Sequence, residues 1–281
     1  MSKFRAIIYP VNIQKILSKT VLNLTAAGIV NTAKLDSELL LAYLLKKDRA
    51  WVLAHPEYVL EEPTLQQYNN LISRRELGES IAYITEHKEF YGRDFFVNKD
   101  VLVPRPESES FLELLKPLAK IIPPKGIFNV LDMGTGSGCL AITVKLENPH
   151  LHVYATDTSK NALTVAIKNT LTYDVPIVFK EQDLLAGDKV GYDVIIANLP
   201  YVPDKMQDKS IMHEPKEALF SGNDGMNHYK RLFKQLEPKL IRYVMTESLL
   251  SQHNEVTELA KKAGYTPTST DGLVQFFTKK L

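Results

Sequence analysis

The sequence predicts an open, mostly parallel α/β domain preceded by a small helical domain. Three observations carry this. From residue 127 on, short apolar runs alternate with amphipathic segments. Residues 1–80 show apolar positions at helical spacing and no strand alternation. Between them, residues 81–105 turn aromatic and β-branched around Gly92-Arg93. The 281 residues suit two domains at ~150 residues each.

The elements follow in order. Val11, Ile13, Ile16, Leu17, Val21, Leu22 and Leu24 recur at helical spacing, and Gly28 is a stop signal. Leu35, Leu39, Leu40, Tyr43 and Leu44 repeat the pattern, with Asn31 or Thr32 near the cap. Pro63 suits a first helical turn, with Leu65, Tyr68, Leu71 and Ile72 on one face and Gly78 at the end. Trp51 and Leu53 read as core of this helical part. EFYGRDFFVNKDVLVP reads as a connecting hairpin, Glu107 to Lys120 as a helix, and Pro123-Pro124-Lys125-Gly126 as a loop. Seven strand candidates follow: 128–133, 151–157, 176–180, 192–198, 240–247, 265–270 and 273–280. Only Asp271 and Gly272 separate the last two, too short a link for a parallel crossover, so that pair is expected to be an antiparallel hairpin. The expected domains are thus 1–80 helical, 81–105 hairpin linker and 106–281 α/β.

Composition narrows the class. A hydrophobic fraction of 44% and a charged fraction of 24% suit a soluble globular chain. A net charge of +1 argues against non-specific nucleic-acid binding. Cys139 is the only cysteine, so no intrachain disulfide or cysteine-rich zinc site forms. With no ~18-residue apolar run and no signal-peptide pattern at the start, a reduced, cytoplasmic protein is expected. Cys139 reads as packed, His150 and His152 as a solvated pair without a third metal ligand, and Arg74, Arg75 and Arg93 as a solvated face.

Two turns carry chemistry. The first strand runs into Gly134-Thr135-Gly136-Ser137-Gly138, with a helix starting at Cys139 or Leu140. The G-x-G-x-G spacing is neither the dinucleotide fingerprint nor a P-loop. Asp157 ends the second strand, where a carboxylate can accept both ribose hydroxyls. Together they read as an adenosine-ligand site, open to NAD or S-adenosylmethionine and favouring the latter by glycine spacing. After the third strand, Asp183 is placed to face an adenine amino group and Leu184 its ring, or else they are loop and core residues.

The fourth strand ends in Asn198-Leu199-Pro200-Tyr201. This turn suits methylation of a planar, weakly nucleophilic NH2. Two acceptors, the Asn198 side-chain carbonyl and the Leu199 backbone carbonyl, can orient its hydrogens. Pro200 stiffens the turn and Tyr201 can lie against the flat group. An amide or an adenine amino group would fit.

In this order, VLVPRPESE (101–109), VLDMGTGSG (130–138), IIANLPYVP (195–203) and EPKEALFSGNDG (214–225) behind a helical domain resemble the HemK/PrmC-type protein-glutamine methyltransferases. These modify the glutamine of the Gly-Gly-Gln motif of peptide chain release factors. The resemblance runs from about Leu35 to about Asp271. It implies a seven-stranded Rossmann-like S-adenosylmethionine-dependent methyltransferase domain. It further implies that Gly134 to Gly138 hold the methionine part of the cofactor, Asp157 its ribose, and Leu184 its adenine. Asn198 to Tyr201 would hold the glutamine, with Asn198 bordering the cofactor. Pro104, Arg105, Pro106 and Glu107 would close the site, or else form a linker with Arg105 paired to a carboxylate. Glu214-Pro215 and Gly222 to Gly225 would shape it. The implied partner is a release factor, met by a monomer without membrane or stable nucleic-acid binding.

This chain departs from the family in having Leu199 where proline is usual, TESLLSQ (246–252) without the family's glycine, and no arginine in the final hairpin. No functional residue is therefore carried over from the C-terminal part. Two other acceptors remain open: a ribosomal-protein glutamine, and the adenine amino group of RNA or DNA. A fold that has lost catalysis and only binds partners is disfavoured by the intact turns.

Overall fold

The computed structural model describes residues 11–122, 126–206 and 211–280. The expected loop at Pro123–Lys125 lies outside the described residues. The chain divides into two compact units, Met1–Thr85 and Glu86–Leu281.

The first unit is helical: α1 (Ile13–Ala26), α2 (Ala33–Leu45), α3 (Arg49–Ala54), α4 (Glu62–Glu76) and α5 (Ile81–Thr85). Asn12 caps α1 by accepting from Lys15 N at 3.0 Å, and Asp48 caps α3 by accepting from Trp51 N at 2.6 Å. Ile13, Ile16, Leu24, Leu40, Leu41, Val52, Tyr68 and Ile72 form the core, each large aliphatic side chain contributing about 1.5–3 kcal/mol on burial. The Tyr68 hydroxyl donates to Ser37 O at 2.9 Å, so its polar end is satisfied inside. Leu53 departs from expectation: it is 48% exposed. Trp51 is half-buried, stacked on His55 with ring centroids 4.3 Å apart.

The second unit opens with a hairpin, β1 (His87–Phe90) and β2 (Arg93–Phe96). A 3-10 turn, Pro106–Glu109, leads into α6 (Ser110–Ile121). Then come β3 (Asn129–Met133), α7 (Cys139–Glu147), β4 (His152–Asp157), α8 (Lys160–Tyr173), β5 (Val178–Glu181) and β6 (Val194–Ala197). After these follow α9 (Lys216–Leu219), α10 (Asn227–Leu236), β7 (Tyr243–Glu247), α11 (His253–Lys262), β8 (Tyr265–Asp271) and β9 (Val274–Lys279).

The seven strands β3 to β9 form one sheet in the order β5-β4-β3-β6-β7-β9-β8. β9 is antiparallel to both neighbours, and the other pairs are parallel. The expected sheet and terminal hairpin are both present. Both faces are apolar, as a doubly covered sheet requires. Val194 and Ile196 pack with α6 and α7, whereas Ile195 and Ala197 pack with α10 and α11. The strand order reverses between β3 and β6, the switch point where open α/β sheets bind ligands beyond their strand ends.

Candidate active site

Both sequence-marked turns leave the sheet at that switch point. β3 runs into the glycine turn, β6 into Asn198, and Met133 is the register partner of Ala197. Gly134 has φ +73°, a conformation that favours glycine, and a Cβ there would lie 3.2 Å from Leu199 Cδ2, so the two turns run side by side. The backbone amides of Gly134 and Thr135 both donate to Thr156 O, at 2.8 and 2.9 Å, anchoring the turn to β4. Behind it, Asn169 of α8 bonds Ser137 O at 2.8 Å and both backbone groups of Phe96, tying turn and hairpin together.

An open cleft lies over these strand ends. Gly134 to Ser137, Asp157, Asp183, Leu184, Asn198, Leu199 and Pro200 line it, with Pro104 and Arg105. Gly138, Pro106, Glu107 and Tyr201 are not in that lining. Gly138 is instead the N-cap of α7, and Pro106 and Glu107 begin the 3-10 turn. Asp157 accepts Gly136 N at 3.0 Å on one oxygen and Ser159 N at 2.9 Å on the other. The Thr158 amide also acts on this carboxylate, which still keeps acceptor capacity among its roughly four lone-pair sites. Burial pushes this carboxyl above its ordinary value, offset by those backbone donors.

Leu184 is buried with φ +52°, a backbone state costly for leucine. It is held there from both sides: Gln182 Nε2 donates to Leu184 O at 2.7 Å, and Leu185 N to Gln235 Oε1 at 2.9 Å. Asp183 is exposed and pairs with Arg231. Arg105 pairs with Glu214 at 2.5 Å, and Glu214 also accepts Val103 N at 3.1 Å, which fixes the strap before the 3-10 turn.

Around Asn198 lies a buried network. Asn198 Nδ2 donates to Ser108 Oγ at 2.9 Å, and Ser108 Oγ donates to Glu247 Oε2 at 2.6 Å. The Tyr201 hydroxyl donates to Glu247 Oε1 at 2.8 Å. Tyr201 O accepts Gln252 Nε2 at 2.8 Å. Among the described residues, neither Asn198 Oδ1 nor the Leu199 carbonyl accepts a hydrogen bond. Burial and the Glu247 charge raise the Tyr201 phenol above its ordinary value, so it stays protonated.

The sequence is similar to that of known proteins. Residues 15–85 match the PrmC N-terminal domain and residues 114–222 the methyltransferase small domain. The chain is 42% identical over 209 residues to the release factor glutamine methyltransferase of Koribacter versatilis, covering 72% of this chain and 74% of that one. The chain belongs to the release factor glutamine methyltransferase family. The namesakes from Coxiella burnetii (34% identity, 84% and 86% coverage) and Bacillus subtilis (36%, 85% and 86%) extend the match over most of both chains. A methyltransferase structure from Pyrococcus furiosus overlays 76% of this chain and all of its own with a TM-score of 0.51 at 18% identity, a likeness of fold.

The cofactor of this methyltransferase is S-adenosylmethionine, and the cleft fits it. A Cβ on Gly136 would meet nothing within 4 Å, so the turn faces open space. The Asp157 oxygens retain lone pairs for hydroxyls, and Leu184 offers an apolar wall. Beneath the turn, Asp132 accepts Thr135 Oγ1 and Ala141 N on Oδ2, while its buried Oδ1 has no partner. Burial pushes this carboxyl up to about 6. Cys139 is buried with its thiol pushed up to about 12, as a packed side chain.

The sequence assigns no role to Ser108 or Glu247, and it gives Glu214 a site-shaping role without naming Arg105 as its partner. Ser108 sits inside a quoted motif, and Glu247 ends a strand, the one signal that marked it.

Proposed function

We propose that the Asn198 to Tyr201 turn holds the side-chain amide of the glutamine that this enzyme methylates, in the Gly-Gly-Gln motif of a peptide chain release factor. The observation that carries the reading is the contact of this turn with the glycine turn, Gly134 against Leu199, above a cleft suited to an adenosine ligand. Gly134 to Ser137 border the methionine end, with Gly138 behind them starting α7; Asp157 takes the ribose hydroxyls, and Asp183 and Leu184 border the adenine. Pro104 and Arg105 close the site, with Arg105 held by Glu214.

The bound cofactor supplies an electrophilic methyl on a sulfonium. The protein's task is to place a poor nucleophile in line with it. An amide nitrogen shares its lone pair with its carbonyl. Asn198 Oδ1 and the Leu199 carbonyl accept its two N–H bonds, orient it and favour a pyramidal nitrogen. A nitrogen that has accepted the methyl would carry positive charge, and its proton would then leave for solvent from between the Asn198 Oδ1 and Leu199 carbonyl acceptors. No strong base is needed first. Alignment of this kind is worth up to about 7–11 kcal/mol, and the hydrogen bonds add to it. Because Leu199 acts through its backbone, it can stand where relatives of this type carry proline.

The helical unit supplies recognition of the protein substrate. No helix among the described residues is long and apolar enough to cross a membrane, and the near-neutral charge favours a protein over a nucleic-acid acceptor. The test is to incubate the enzyme with labelled S-adenosylmethionine and, separately, release factor, ribosomal protein and structured RNA. Label on the release-factor glutamine, located by peptide mass mapping, is the expected result. Label in RNA or ribosomal protein alone overturns the reading.

A further inference from the structure

The active site faces an orientation problem that its motifs do not solve. An asparagine amide has nearly the same shape after a half-turn about its last bond, which exchanges oxygen and nitrogen. Only one orientation serves: Oδ1 must face the substrate NH2, since an NH2 facing an NH2 bonds nothing. Some other group has to decide which end of Asn198 points where.

Glu247 is that kind of group. It is 1% exposed at the end of β7. An ionised carboxylate only accepts, and both its oxygens are engaged, Oε1 by the Tyr201 hydroxyl and Oε2 by the Ser108 hydroxyl. A serine has one proton to give. Having given it to Glu247, Ser108 Oγ can only accept from Asn198, so the end of Asn198 lying 2.9 Å away is the NH2. The Asn198 carbonyl is then left for the substrate. The same carboxylate pins the Tyr201 ring at the other end of the turn.

We infer that Glu247 is a positioning residue for methyl transfer: through Ser108 it sets the Asn198 amide with its carbonyl toward the substrate nitrogen, and through Tyr201 it fixes the turn. This rests on the glutamine-holding role of the turn. The polarity of the relay depends on charge. A protonated Glu247 can donate to Ser108. Ser108 can then donate to Asn198, whose amide turns over and offers NH2 to NH2. The groups facing Glu247 are the Tyr201 hydroxyl, the Ser108 hydroxyl, the Asn198 amide and the Glu107 carboxylate, while the Tyr229 hydroxyl bonds its backbone carbonyl. Arg105 and Glu107 act on Tyr201. Burial first, and Glu107 further, raise the Glu247 carboxyl above its ordinary value, while its hydrogen-bond donors oppose this.

Glu247→Gln tests the relay with little change of shape. The new NH2 meets one of two fixed donors, Ser108 or Tyr201. The expected result is kcat on release factor lower by about tenfold to a hundredfold, the scale of a misaligned reactant, with S-adenosylmethionine affinity by calorimetry and KM for release factor little changed. Wild-type kcat should show an acid limb with its midpoint above the usual glutamate range, and Glu247→Gln should lack it. Ser108→Ala should lose kcat similarly, Ser108→Thr should retain more of it, and the double variant should be no worse than the poorer single one. Wild-type kcat in Glu247→Gln overturns the inference. So does a loss that falls equally on kcat, cofactor affinity and melting temperature, which would mark a structural role only. If the wild type transfers no methyl to release factor, the glutamine-holding reading fails and takes this inference with it. If the wild type does and Glu247→Gln equals it, only the relay fails.

Discussion

Gly225 supports the catalytic turn from behind, and Gly225→Ala tests how tightly. Gly225 has φ +76°, and a Cβ there would lie 2.1 Å from Tyr201 O and 2.5 Å from Gln252 Nε2. Contact distances require more than 3 Å, so one partner must shift by about 1 Å. Gln252 is buried, and its Nε2 bridges Tyr201 O at 2.8 Å and Asp224 O at 2.9 Å. Alanine in the left-handed region costs about 1–2 kcal/mol, and each lost hydrogen bond about 1 kcal/mol. The variant should therefore lose about 3–4 kcal/mol, a fall in melting temperature of roughly 10 °C for a unit of this size. A 1 Å displacement of Tyr201 should also cut kcat by up to ~100-fold. Thermal unfolding by circular dichroism and methyl transfer to release factor at 20 °C read the two effects. Gly191→Ala is the control, since a Cβ at Gly191 meets nothing within 4 Å, and it should melt with the wild type. A Gly225→Ala protein with wild-type melting temperature and turnover would refute the reasoning.

Three further outcomes are expected. Asp157→Ala should weaken S-adenosylmethionine binding by about 1.5–3 kcal/mol, the worth of a hydrogen bond to a charged group; unchanged affinity by calorimetry would reject its ribose role. Leu199→Ala should cost about 2–4 kcal/mol in denaturant unfolding, because the side chain is buried, yet turnover of the folded protein should stay within severalfold, because the backbone carbonyl is kept; lost turnover at full folding would contradict a backbone role. Asp132 has its carboxyl raised from 3.8 to about 6 in the fold, so the protonated form is favoured there. Its contribution to stability is full below about pH 4 and is lost as pH rises through about 6, a change of about 3 kcal/mol. The stability of cofactor-free wild type minus that of Asp132→Asn should fall by about that amount between pH 4 and pH 7, and a flat or rising difference would oppose it.

What the sequence reveals follows from how local each signal is. The strands of the sheet are apolar runs between turn residues, so their positions could be read to within a few residues, and Asp271-Gly272 gave away the antiparallel pair. α3 has only six residues, too few for a periodic pattern, and its mark was the Asp48 cap alone. Leu53 looked like core only because that short helix was not seen. The glycine turn and the Asn-Leu-Pro-Tyr turn are continuous in sequence and stood out as chemistry. Ser108 and Glu247 lie 139 residues apart, and no local pattern joins a serine in a 3-10 turn to a strand-end carboxylate. Arg105 was legible as the partner of some carboxylate, but Glu214, 109 residues on, became its partner only through the fold.

The central claim is that Asn198 holds the glutamine amide for methyl transfer, and one comparison tests it most directly. Methyl transfer to release factor is measured under saturating cofactor for wild type and Asn198→Ala, with S-adenosylmethionine affinity measured on the same samples. The account predicts a loss in kcat of at least ~100-fold, the scale for a missing transition-state hydrogen bond, with cofactor affinity nearly intact. Turnover within severalfold of wild type would contradict it.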